Sequence, residues 1–206
     1  MTRHAKPAPT EHPVLDAVRE RWSPRAFDGQ PIAPDALRSL FEAARWAASS
    51  FNEQPWRWLL AGRDDANAFA KMLSCLGEWN QRWARSAGAL AMGVAREQFT
   101  KGGKPNHHAW YDLGQSSALM AVQAAGLGLQ IHQMGGIDPA RVKAIYGVPD
   151  GFQVVVGIAI GRPGDPESLP DEDMQESERA ARTRRALAES VFGGRWGEPH
   201  ALFTSR

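Results

Sequence analysis

Four short segments carry the residues best suited to holding a polar ligand. Arg21, Ser23 and Arg25 alternate along one turn, where two guanidinium forks and a hydroxyl can bind a phosphate or the polar edge of a ring. Ser49, Ser50, Asn52 and Gln54 form a loop of mixed donors and acceptors, suited to a sugar or an amide-bearing heterocycle. In Met134-Gly135-Gly136-Ile137-Asp138 two glycines stand between a strand and a helix, so backbone N–H groups can approach a ligand closely. Arg182 and Arg184, with Arg185 beside them, add a basic cluster near the C-terminus. Taken singly, each segment also fits a plainer reading: a solvated turn, a helix-terminal loop, a tight strand-to-helix turn, a solvated helical face.

Several chemistries are excluded. Gly126-Leu127-Gly128 needs a glycine at 131 to complete a dinucleotide fingerprint, and Ile131 stands there. Gly102-Gly103-Lys104 lacks the upstream glycine of a phosphate-cradling loop. No G-x-S-x-G elbow and no H-E-x-x-H occurs. His107 and His108 are adjacent and diverge on any regular element, so loop polarity or pocket lining suits them better than a metal, and no metal site is expected.

The elements that must position these residues follow from periodicity. Thr10 as N-cap, Pro13, and Val14, Leu15 and Val18 on one face predict a short helix that Pro24 terminates. A second helix opens at Pro34, carries Leu37, Leu40, Phe41 and Ala44, and is continued by Ala47 and Ala48. Residues 56–61 read as a strand, and Asp64 or Asp65 caps a helix with Phe69, Met72, Leu73 and Leu76 on its face. Trp79 and Trp83, four apart, can share a helical face. The run 88–95 has strand length, 96–109 is irregular, and 112–125 reads as a buried helix of small residues ended by Gly126 or Gly128. A strand at 130–134, a helix opened by Asp138-Pro139 and closed by Gly147, and a strand at 153–160 complete the order. One domain over 1–206 is expected, with a loose start at 1–11 and a tail at 162–206. That tail lacks a core of its own and wraps over the body or a partner subunit.

Composition bounds the function. The 206 residues carry 24 Lys+Arg against 23 Asp+Glu, a net charge of +1, which gives no field for nucleic acid or anionic membranes. The single Cys75 forbids an intrachain disulfide, no stretch reaches the length of a membrane helix, and Met1 to Thr10 lacks a signal-peptide centre. A soluble cytoplasmic protein is expected. Of the eight tryptophans, Trp46, Trp56 and Trp58 read as packing, whereas Trp22, Trp79, Trp83 and Trp110 fall in segments expected near a ligand.

Together the segments resemble the nitroreductase family of FMN-dependent oxidoreductases over nearly the whole chain. The marks are Arg-x-Ser-x-Arg-x-Phe at 21–27, a Pro-Ile and a helix ending Ala-Ala-Arg-Trp-Ala, and Ser-Ser-x-Asn-x-Gln-Pro-Trp at 49–56. Gly-Leu-Gly and Gly-Gly-x-Asp within 126–138 and a Val-rich strand closing in Gly161 continue the pattern. The resemblance implies an α+β fold, with a central, mainly antiparallel sheet flanked by helices and an extended C-terminal tail. It also implies a homodimer with FMN at the interface. Arg21 and Ser23 would contact ribityl and phosphate, and Arg25 the pyrimidine edge. Ser49, Ser50 and Asn52 would lie against the flavin from the other subunit, with Gln54 supporting their loop. Met134, Gly135 and Gly136 would form the turn facing N5, and Arg182 and Arg184 would grip the phosphate. Trp22 stands where a cation or histidine is frequent, which puts an indole beside the cofactor. Ala48 and Ala186 replace prolines common in the pattern, and Phe51 and Glu53 replace smaller residues.

The implied activity is reduction of nitroaromatics, quinones or related electron-poor acceptors by NAD(P)H, in two hydride transfers through flavin N5. Such chemistry demands no dedicated acid or base. A different flavin reaction on the same fold, such as dehalogenation, flavin breakdown or dehydrogenation, and flavin binding without turnover are the alternatives. Acceptor specificity is expected from residues 79–83 and 96–111, with Trp79, Trp83, His107, Trp110 and Tyr111 lining the pocket.

Overall fold

The computed structural model describes residues 5–204. Four strands, β1 (Trp56–Gly62), β2 (Ala89–Arg96), β3 (Gln130–Met134) and β4 (Phe152–Gly161), form one sheet in the order β1-β2-β4-β3 with every pairing antiparallel. The helices are α1 (Asp16–Glu20), α2 (Pro34–Arg45), α3 (Ala66–Leu73), α4 (Glu78–Ala84), α5 (Ala109–Gly126), α6 (Pro139–Tyr146) and α7 (Glu172–Arg179). No helix among the described residues is long and apolar enough to cross a membrane.

Successive side chains of a strand point to opposite faces, so β2, with no polar side chain from Ala89 to Ala95, must be covered on both sides. Leu90, Met92 and Val94 pack with Phe69 and Met72 of α3 and Trp83 of α4, while Ala89 and Ala91 pack with Leu40 of α2 and Met120 of α5. Helices therefore layer both faces of the sheet. In β4 the pattern inverts: Gly93 pairs with Val156 but Val94 with Val154, so Val155 is an inserted residue. This bulge lets Val154 join one core while Ile158, at the same parity, joins the other.

Local signals set most boundaries. Asp65 and Asp138 cap α3 and α6 by accepting from Ala68 N and Arg141 N, and Gly147 ends α6 in the left-handed region at φ 64°. Elsewhere the expectations need correction. Thr10 caps no helix; its N–H bonds to the Ala8 carbonyl, and α1 begins only at Asp16 and buries nothing. Helix α2 stops at Arg45, so Ala47 and Ala48 lie beyond it, and Trp46 is 73% exposed instead of packed. Its Nε1 donates to Glu42 one turn back, leaving the ring in solvent. Helix α5 opens at Ala109, three residues early, which moves Trp110 and Tyr111 from the irregular stretch into a first helical turn. The tail packs over the body, where Leu169, and Met174 of α7, are buried with the α3–α4 residues. The N-terminal start is tied down from Lys6 onward: Lys6 Nζ donates to the Glu178 carbonyl and Ala8 N to the Arg19 carbonyl. Residues 1–4 lie outside the described residues.

Candidate cofactor site

Three chain segments far apart in sequence meet around Arg21. The turn after α1 is fixed to the sheet by Gln130, whose Oε1 accepts from Trp22 N at 3.0 Å and whose Nε2 donates to the Glu20 carbonyl. Arg21 NH1 donates to Ser23 Oγ at 3.2 Å. Burial, then the charge of Arg184, pulls Arg21 below the ordinary arginine range. Arg182 is lowered by burial, then by Arg21 and Arg184. None of these three guanidinium groups has an ion-pair partner among the described residues, so the cluster is suited to an anion. Within it the roles differ. Arg182 NH1 is committed to the carbonyls of Lys6 and Arg19 at 2.8 and 2.9 Å and acts as a strut, whereas Arg184 is exposed. Trp22 is buried, with Lys6 Nζ 5.0 Å from the ring centroid, so its indole lies under the turn.

The glycine turn lies on the same side. A cleft of about 470 Å³ is lined by Trp79, His132, Met134, Gly135 and Gly136. The Gly136 carbonyl accepts from Asn80 Nδ2 at 2.8 Å and Gly77 N at 2.9 Å, and a Cβ on Gly136 would meet that amide at 2.6 Å. A Cβ on Gly135 would have no protein atom within 4 Å. The first glycine thus faces open space while the second is locked to α4. Arg25 stacks over Trp79 at 5.0 Å, and its Nε is buried with no hydrogen-bond partner among the described residues. Both residues also line a neighbouring cleft of about 740 Å³ walled by α7.

The remaining candidates form a second group at the N-terminal end of α5. Ser50 N donates to Asp112 Oδ2, Gln54 N to Ser49 Oγ, and Gln54 Nε2 to the Asn52 carbonyl. Phe51, Asn52 and Gln54 all have positive φ, at 51°, 55° and 46°, a costly backbone for side-chain-bearing residues and one that clusters at ligand-binding loops. Glu53 ties this loop to the 96–109 stretch by accepting from Thr100 N and Oγ1. His107, Trp110 and Tyr111 are exposed at the same end. The first group anchors at Gln130, beyond the other end of this 18-residue helix, about 27 Å long. Within one protomer the Arg21 turn and loop 49–54 thus lie at opposite ends of α5, and the glycine turn follows Gln133, whose Oε1 accepts from Ser117 Oγ midway along that helix.

One pocket candidate is placed elsewhere. Trp83 is 1% exposed and packs between Phe27 and His132 in the core, so within a protomer it lines no cleft; Trp79, on the same short helix, points out. Sequence reasoning missed Asp112, Glu178, Gln130, Asn80 and His132, which act on loops by hydrogen bonds across the fold. Glu178 stands in the polar run Glu172–Arg179, and its one local mark is its place a turn after Met174, the only apolar residue of that helix.

The fold and site define an α+β protein in which a cationic turn and an open glycine turn stand at the two ends of strand β3. The chain belongs to the nitroreductase family, whose model matches residues 18–162. It is similar to an NADH dehydrogenase of Thermus thermophilus, 31% identical over 187 residues covering 74% of this chain and 89% of the relative. An uncharacterized 15.4 kDa protein of Mycolicibacterium smegmatis is 33% identical over 138 residues, 67% of this chain and 91% of that one. A solved structure described as an oxidoreductase containing FMN superposes with a TM-score of 0.84 at 37% identity, over 92% of this chain and 96% of that chain.

Proposed function

We propose that this protein is an FMN-dependent oxidoreductase that draws electrons from NADH or NADPH and reduces nitroaromatics, quinones or similar electron-poor acceptors, as a homodimer. The observation that carries the reading is the cationic cluster at the Gln130 end of β3 together with the open face of Gly135 just past the strand's other end. Three features fit FMN: guanidinium groups without a counter-carboxylate suit its phosphate, Ser23 Oγ adds a hydroxyl, and the buried Arg25 Nε lacks an acceptor that a polar ring edge would supply. Bound FMN supplies reversible two-electron uptake and release, which no side chain here provides.

The chain's own residues bind and orient. Arg21 and Arg184 hold the anionic end, with Arg182 bracing them through the Lys6 and Arg19 carbonyls. Arg25 places positive charge where a reduced ring gathers negative charge. Asn80 fixes the Gly136 carbonyl, which orients the turn, and Trp79 offers a flat apolar wall for an aromatic acceptor. Loop 49–54 and Trp110 and Tyr111 complete the pocket from the second subunit, since in one chain they lie at the opposite end of α5 from the Arg21 turn.

Purified protein should be yellow, bleach under NADH or NADPH without oxygen, and recolour with a nitroaromatic. A yellow protein inert to both nucleotides would leave a flavin-binding protein without turnover. A colourless protein that takes up no added FMN would end this reading.

A further inference from the structure

Two carboxylates among the described residues are fully buried, Asp112 and Glu178, and each ends on the backbone of a loop that carries candidate ligand groups. Glu178, 2% exposed, sits in the last turn of α7. Its Oε1 accepts from Arg25 N at 2.9 Å and Ala26 N at 3.0 Å, and its Oε2 from Arg25 N at 3.1 Å. The Glu178 carbonyl accepts from Lys6 Nζ at 2.7 Å, while Arg182, four residues on, grips the Lys6 and Arg19 carbonyls. A buried carboxylate is tolerated only when hydrogen-bonded, so undocking α7 would strand the Arg25 and Ala26 amides as well as the charge.

We infer that Glu178 is a positioning residue for the cofactor: it ties the C-terminal tail to the Arg21–Arg25 turn, so that tail docking and FMN retention are one linked equilibrium. The inference rests on the functional reading above. The tail delivers Arg184 beside Arg21 and the same tail shapes the turn that bears Arg21 and Ser23, so neither half of the anion site is set without the other. Linkage is reciprocal: a docked tail favours FMN, and FMN favours the docked tail by the same factor.

The test is titration of the apoprotein with FMN and with riboflavin, which lacks the phosphate, for wild type and Glu178→Gln. The glutamine keeps the size and one oxygen for the two amides, but removes the charge and sets an NH2 against Arg25 N where Oε2 accepted. FMN affinity should fall about tenfold or more, with a smaller loss for riboflavin. Equal FMN affinity, or equal losses for both flavins, would overturn the proposal. A second measurement needs no variant: hydrogen exchange on the wild type should show FMN slowing the Arg25 and Ala26 amides together with residues 172–185. FMN uptake without that protection sinks this proposal alone. Wild-type protein that takes up no FMN sinks the functional reading and this proposal with it.

Discussion

His132 lies against Trp83 with ring centroids 4.6 Å apart, and its Nδ1 is 2.9 Å from the Pro24 carbonyl. A carbonyl only accepts, so Nδ1 carries a proton. Burial pushes the pKa down from 6.5 to about 4, against the smaller opposing effect of the Pro24 carbonyl. The folded state therefore resists protonation, and stability present above the unfolded value is lost as pH falls from 6.5 toward 4, by up to about 3 kcal/mol. Urea unfolding at pH 7 and pH 4.5 should show a smaller drop for His132→Gln than for wild type; an identical drop would remove His132 as the cause. Gly135 gives a second prediction at this scale. Gly135→Ala meets no protein atom, so the melting temperature should stay put while FMN affinity falls, whereas Gly136→Ala strikes Asn80 and should lower both. The glycine pair was legible in the sequence as a place for close approach. Which glycine faces open space was not, because that depends on Asn80, more than fifty residues upstream.

At the scale of elements, Asp112 joins the start of α5 to loop 49–54 through Ser50 N at 3.1 Å. Asp112→Ala leaves that amide unsatisfied and should cost about 1–3 kcal/mol in denaturant unfolding. It should also speed proteolysis of residues 49–54, since this hydrogen bond helps hold a loop with three positive-φ residues; a loop no more sensitive than in the wild type would show that the strain is held elsewhere. Most helix and strand boundaries were readable, because caps, prolines and period-2 runs are local. The failures share one cause. Trp46 was expected to pack and Trp83 to line a pocket, yet the first projects into solvent past the end of α2 and the second is sealed between Phe27 and His132. Periodicity gives a face but not what stands opposite it. In the tail, Leu169 and Met174 are too few to form a core alone and are buried only against α3 and α4.

For the molecule as a whole, the separation of the two residue groups along α5 makes oligomeric state the decisive property. Phe51 is 90% exposed, and Trp46, Trp110, Tyr111 and Leu119 add further apolar surface. The protein should run as a dimer in light scattering at micromolar concentration. FMN affinity should weaken on dilution below the dimer's dissociation constant, and a monomer holding FMN at full strength would contradict a shared site. The sequence by itself determined the family, the α+β order of elements and the donor types of the four segments, because these are set by local spacing and side-chain chemistry. Tertiary structure decided which of those donors face one ligand. Distant carboxylates and amides, Glu178, Asp112, Gln130 and Asn80, fix the loops by directional hydrogen bonds, and such bonds form only once the packed sheet has brought chain segments 56 to 153 residues apart into contact.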